Sequence, residues 1–171
     1  MGNFLAFYEK ATPLQIAQGA AWYDEAAQAI RELARWHGCS IETAAGVVAA
    51  LSQRQTWERN LQLAEDTLSG LRPATLQAVA NKAEAIRDGA EPLDILKGDK
   101  IRAFYGALRG DEEAVVIDTW MRKAYGHPRE SMTPKQYAVI AGALREDAAA
   151  VGMSPAKFQA AVWVTIRGSH K

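Results

Sequence analysis

Residues 96–120 read LKGDKIRAFYGALRGDEEAVVIDTW, and the fold class turns on them. Ile101, Phe104, Tyr105 and Leu108 recur at the spacing of one helical face, and the run stops at Gly110. The chain then passes through Ala114-Val115-Val116-Ile117-Asp118, where three β-branched residues fall together. A strand needs a neighbour to take its ladder hydrogen bonds, and this is the one plausible strand in the sequence, so it stands alone. Residues 114–118 are therefore expected to form a buried extended connector, and the chain to be all-α.

Outward from this stretch the same punctuation repeats. A Ser or Thr followed by Pro satisfies free backbone donors and presets the first helical dihedral, and the pair occurs at Thr12-Pro13, Thr133-Pro134 and Ser154-Pro155. Gln136, three residues after Thr133, completes a capping box, and Tyr137, Ile140, Ala141 and Leu144 follow at helical spacing before Gly152. Leu61, Ala64 and Leu68 lead to Gly70, and Leu76, Val79, Ala83 and Ile86 lead to Gly89, so each stretch is expected to be a helix stopped by glycine. Between Pro13 and Trp36 the sequence fits one long helix or two shorter ones broken at Gly19. Ser40 caps a very apolar helix through Gly46, Val47, Val48 and Leu51, which is expected to be central. Trp22 and Trp36 are read as core. With no repeat or long linker, residues 1–171 are expected to form a single two-lobed helical domain, its first helices packed against its last two.

Composition narrows function by exclusion. Lys plus Arg number 20 and Asp plus Glu 20, so the formal net charge is zero; non-specific coating of nucleic acid is not expected, while a local basic face stays open. A hydrophobic content of 49% excludes a disordered chain. The single cysteine, Cys39, excludes a disulfide framework, and with His37, His127 and His170 scattered no metal site is expected. Cys39 itself reads as a small buried residue and not a nucleophile. No apolar run of about eighteen residues occurs, and the start MGNFLAFYEK lacks the basic-then-apolar order of a signal peptide, so a soluble cytoplasmic chain is expected.

Two segments place polar groups where the pattern predicts core. Leu51-Ser52-Gln53-Arg54-Gln55-Thr56-Trp57 interrupts an apolar helix with five polar residues, which exposes Gln53 and Arg54 on a short elbow. The plain alternative is a turn in which Ser52 or Thr56 caps the next helix. In Leu96-Lys97-Gly98-Asp99-Lys100, Gly98 lets the chain turn tightly, and the free donors of the following helix can meet a phosphate, with Lys97, Lys100 and Arg102 adding positive charge. Asp99 opposes that reading, since it can cap its own helix and repels an anion. Asp118, directly after an apolar run, is expected to be partly desolvated; it can be a reactive carboxylate or simply cap the helix at Trp120 and Met121. Lys100 reads equally as a solvated surface charge. Trp57, Tyr105, Trp120 and Trp163 are ring contacts for a ligand or plain core. Arg167, His170 and Lys171 read as a solvated tail.

Together these segments resemble the helix-hairpin-helix family of DNA base-excision glycosylases. The elbow resemblance rests on Leu51, Ser52, Gln53 and Trp57, the hairpin on Leu96, Gly98 and Lys100, and the aspartate on Val116, Ile117, Asp118 and Thr119, followed by Arg122 and Gly126. The order is the same, Lys100 precedes Asp118 by the separation found in lysine-bearing members, and the match runs roughly from Ile41 to Gly126. The sequence departs from the family in its single hairpin glycine, in Trp120 where many members have histidine, and in lacking the four-cysteine cluster of some members. The chain is also similar to small phage proteins, which implies the cytoplasm of a bacterial host.

The resemblance implies a two-lobed all-α glycosylase-like fold with its core at about residues 41–126, DNA as the partner, and neither cofactor nor metal. It implies that Asp118 stabilises positive charge on the sugar as the base departs, and that the Lys100 amine attacks C1′ to form a Schiff base. Gln53 and Arg54 would brace the gap left by the flipped base, Lys97, Gly98 and Arg102 would hold the phosphate backbone, and Trp57, Tyr105 and Trp120 would line the base pocket. The expected activity is that of a DNA N-glycosylase or glycosylase/lyase acting on a modified or damaged base. Two alternatives stay open: transfer of a group onto a modified pyrimidine on the same fold, and a DNA-binding module without activity.

Overall fold

The computed structural model describes residues 4–127, 129 and 131–168. The regular elements among them are all helices: α1 (Phe4–Tyr8), α2 (Pro13–His37), α3 (Ile41–Leu51), α4 (Trp57–Leu68), α5 (Gln77–Arg87), α6 (Pro92–Ile95), α7 (Asp99–Leu108), α8 (Thr119–Tyr125), α9 (Pro134–Ala150) and α10 (Pro155–Arg167). They fall into two compact units, a central one of Ala26–Arg109 and a terminal one that joins Met1–Glu25 to Gly110–Lys171. The central unit thus begins and ends earlier than residues 41–126, and Asp118 belongs to the unit made from the chain's two ends.

In the central unit, α3 is the element the others surround. Residues Ala44 to Leu51 are all buried, and α3 packs against α4, α5, α6 and α7, as a helix apolar on every side must. Ser40 caps it by accepting from the Thr43 amide, and Thr56 caps α4 by accepting from the Arg59 amide. Leu63, Ala80, Ala83, Ile86 and Leu108 complete the core around it.

In the terminal unit, α1 packs on α9 and α10. Phe4, Ile117, Met121, Ile140, Leu144, Phe158 and Val162 form its core, and Asp147 on α9 accepts from the Leu5 amide at 3.1 Å to hold the start of α1. The expected capping box at Thr133 and Gln136 is formed. Thr12 and Gln15 make a second reciprocal pair at the start of α2, at 2.9 and 3.2 Å.

One open choice is settled here and one expectation is corrected. The helix from Pro13 is not broken at Gly19 but runs unbroken to His37. A Cβ on Gly19 would lie 2.4 Å from the Cα and N of Ala161, so the missing side chain lets the backbones of α2 and α10 touch, and this close packing offsets glycine's poor helix propensity. Trp36 is not core: it is 83% exposed. The buried face of this half of α2 is Ala26, Ala27, Ile30 and Ala34, and Trp36, two residues past Ala34, points about 200° away from it. Trp22 is partly buried, edge-on to Tyr23 with ring centroids 4.7 Å apart.

Candidate functional site

The connector that precedes Asp118 has no strand to pair with, and side chains take the place of a ladder. Tyr137 on α9 donates its hydroxyl to the Val115 carbonyl at 2.7 Å and accepts from the Ile117 amide at 3.0 Å. Between these, the Val116 amide donates at 2.7 Å to Oε1 of Gln159 on α10, itself 4% exposed. Val115, Val116 and Ile117 are buried, so without these two side chains their backbone groups would be left unpaired. The extended segment delivers Asp118 to the start of α8.

Asp118 is partly buried and both of its oxygens are occupied. Oδ1 accepts from the Met121 amide at 2.8 Å, the helix cap foreseen as the plain alternative, and Oδ2 accepts from the Trp163 indole Nε1 at 2.8 Å. The carboxylate is therefore held by two donors from different helices, α8 and α10. Tyr23 lies close to this group. Burial pushes its phenol well above the ordinary tyrosine range, a hydrogen bond with Gln159 opposes the rise, and the negative charge of Asp118 adds to it.

A cationic and aromatic surface adjoins the carboxylate. The Arg167 guanidinium lies 4.7 Å from the Trp163 ring centroid and 5.8 Å from that of Trp120, and Lys123 Nζ lies 5.7 Å from the Trp120 centroid. Trp120, in the first turn of α8, is 42% exposed. Arg122 on the same helix is buried and spends its guanidinium on the carbonyls of His127, at 3.0 Å, and Arg129. It thus braces the turn after α8 instead of facing solvent.

The elbow and the hairpin belong to the central unit. Ser52 returns its hydroxyl to the Ala49 carbonyl at 2.8 Å, and Gln53 and Arg54 are exposed at the tip. Arg54 has φ +56°, alone among the described non-glycine residues in the left-handed region, a conformation that costs on the order of 1 kcal/mol or more. At the hairpin, Gly98 has φ +96°, which permits the turn from α6 into α7. Lys97 and Lys100 are exposed. Arg102 donates to the carbonyls of Leu96 at 2.9 Å and Leu93 at 2.7 Å, so part of its donor set ties the hairpin together before any phosphate arrives.

The three proposed pocket rings are distributed between units. Tyr105 is 3% exposed in the central core, with the Arg109 guanidinium 5.1 Å above its ring, and Trp57 is a partly buried first residue of α4; Trp120 belongs to the terminal unit with Asp118 and Trp163. Lys100 and Asp118 likewise belong to different units. Tyr137, Gln159 and Tyr23 were missed by sequence reasoning. A polar Gln159 within the apolar run of α10 was the one available signal. Cys39 is partly buried and burial raises its thiol, consistent with an inert residue; His37 pairs with Glu65 at 3.0 Å. His170 and Lys171 lie outside the described residues.

Among the described residues no group of three or more His, Cys, Asp or Glu could hold a metal ion, and no helix is long and apolar enough to cross a membrane. No curated protein and no solved structure matches the chain. A protein family described as a family of unknown function, DUF7178, matches residues 1–170, and the chain belongs to that family.

Proposed function

We propose that this protein acts on a base in DNA, with N-glycosylase or glycosylase/lyase chemistry carried by Asp118 on a fold related to that of the helix-hairpin-helix glycosylases. The observation that carries the reading is the preparation of Asp118. Two side chains, the partly buried Tyr137 and the buried Gln159, pin the segment before it, and an indole fixes its outer oxygen. A carboxylate held this way needs no reorganisation to stabilise positive charge that develops at C1′ while the glycosidic electron pair leaves with the base. Water then supplies the hydroxyl at C1′ and a proton to the departing base. In the lyase form the Lys100 amine takes the place of water and forms a Schiff base. Further support comes from Trp120, a half-exposed ring beside Asp118 flanked by Lys123 and Arg167, a combination suited to stacking a base with its phosphates near cations. The elbow at Gln53 and Arg54 and the glycine hairpin at Gly98 stand in the order the family requires.

A second reading, a DNA-binding module without turnover, is favoured by one observation: both oxygens of Asp118 already serve structure. The test is incubation of the full chain with duplexes bearing a panel of damaged and modified bases, followed by mass analysis of base and DNA. Free base released by the native chain, with the rate reduced about a hundredfold or more in Asp118→Asn at unchanged DNA affinity, is the expected result. DNA that gains mass while keeping its base would overturn excision in favour of group transfer. Binding with no product would leave the module.

A further inference from the structure

We propose that the groove between the second half of α2 and α4, in the central unit and outside the Asp118 site, docks a basic, arginine-bearing segment of a partner protein. The groove encloses about 750 Å³, with Leu33 and Leu61 among its apolar lining residues. Trp36 stands at its side 83% exposed, and no ring or cation among the described residues covers it. Burying an indole that a folded chain leaves in water is strongly favourable, and single large aromatics of this kind anchor interfaces.

The charges along the groove select the occupant. Glu32, Glu58 and Glu65 line it against the single guanidinium of Arg35, although the chain as a whole is neutral. Among the described residues Glu58 has no ion-pair partner and Glu32 accepts from the neutral Gln28 amide alone, at 3.1 Å, while Glu65 is shared with His37. Three carboxylates around an open indole repel the phosphates of nucleic acid and attract a guanidinium. An arginine lays its planar group on the indole face while its edge donors reach the carboxylates, and its aliphatic stem covers leucine. Lysine satisfies the charge but not the planar stacking.

The experiment titrates the full chain with a short peptide composed only of Arg and Leu, with the matching Lys–Leu and Glu–Leu peptides and a single-stranded oligonucleotide as comparators. Calorimetry gives affinity, and the difference in emission between the native chain and Trp36→Ala isolates Trp36. Expected are saturable binding of the Arg–Leu peptide, weaker binding of Lys–Leu, and none of Glu–Leu or the oligonucleotide at this groove. Trp36→Ala should weaken the Arg–Leu peptide about tenfold. The double variant Glu32→Lys, Glu58→Lys should weaken it further, while Glu9→Lys, Glu146→Lys, the same charge change at exposed acids elsewhere, should leave it unchanged. All four acids and Trp36 are exposed, so these variants should fold. Absence of saturable binding, affinity unchanged in Trp36→Ala, or equal losses in the two charge-reversal pairs would overturn the proposal.

Discussion

Replacing Tyr137 with phenylalanine removes a single oxygen and two hydrogen bonds. The hydroxyl donates to Val115 and accepts from Ile117, residues that are 2% and 1% exposed. Each buried backbone group left without a partner costs about 1–3 kcal/mol, and the ring itself still packs, so the loss should come to about 2–6 kcal/mol, toward the lower end if water enters the space of the hydroxyl. Tyr8→Phe is the matched control. That ring stacks on Phe158 at 5.2 Å and no described group bonds its hydroxyl, so its loss should stay within about 0.5 kcal/mol. Urea unfolding followed by far-ultraviolet dichroism gives both values from the midpoints at a common slope. A second consequence separates a scaffold from mere packing: with the connector loosened, Asp118 loses its fixed position, and release of base from a duplex substrate should fall by more than the fraction unfolded accounts for. If Tyr137→Phe proves as stable as Tyr8→Phe, the claim that side chains replace a strand partner here is refuted.

Gly19→Ala should destabilise the terminal unit by about 3 kcal/mol or more, because the new methyl meets the backbone of Ala161 at 2.4 Å and no rotamer can relieve it; thermal unfolding measures the drop, and a melting temperature equal to the native chain's would contradict the close approach. At alkaline pH the folded chain keeps the Tyr23 proton that the unfolded chain releases, so the Tyr23 contribution to stability should be constant below about pH 10 and be lost as pH rises beyond it, a slope that Tyr23→Phe should flatten; phenolate absorbance should show Tyr23 titrating only with unfolding. Arg102→Ala unties the carbonyls of Leu93 and Leu96, and hydrogen exchange should quicken at residues 96–100 while the amides of α3 keep their protection; an unchanged hairpin would show that Gly98 alone holds the turn.

Much of the helical framework was legible in the sequence because its determinants are local. Capping at Thr133 with Gln136, a helix apolar on all sides at 41–51 and glycine stops at Gly70, Gly89 and Gly110 each depend on residues a few positions apart, and each is present. Rejecting a strand at 114–118 was also a sequence argument, since one extended segment without a second has nowhere to send its hydrogen bonds. Where those bonds do go was invisible, because Tyr137 and Gln159 lie 22 and 43 residues beyond their partners Val115 and Val116, and the one local mark, a polar Gln159 in an apolar run, does not name its partner. One open choice and one error share a cause. Gly19 looks like a helix breaker and Trp36 like core until the neighbours are known: one is needed because Ala161 approaches the backbone directly, and the other lies off the face that Ala26, Ile30 and Ala34 bury. The identity of Asp118 as the residue after an apolar run came from the sequence, and so did its capping of α8. Only tertiary structure decided that its second oxygen meets Trp163, since a hydrogen bond between groups 45 residues apart exists only once α10 has packed beside the connector.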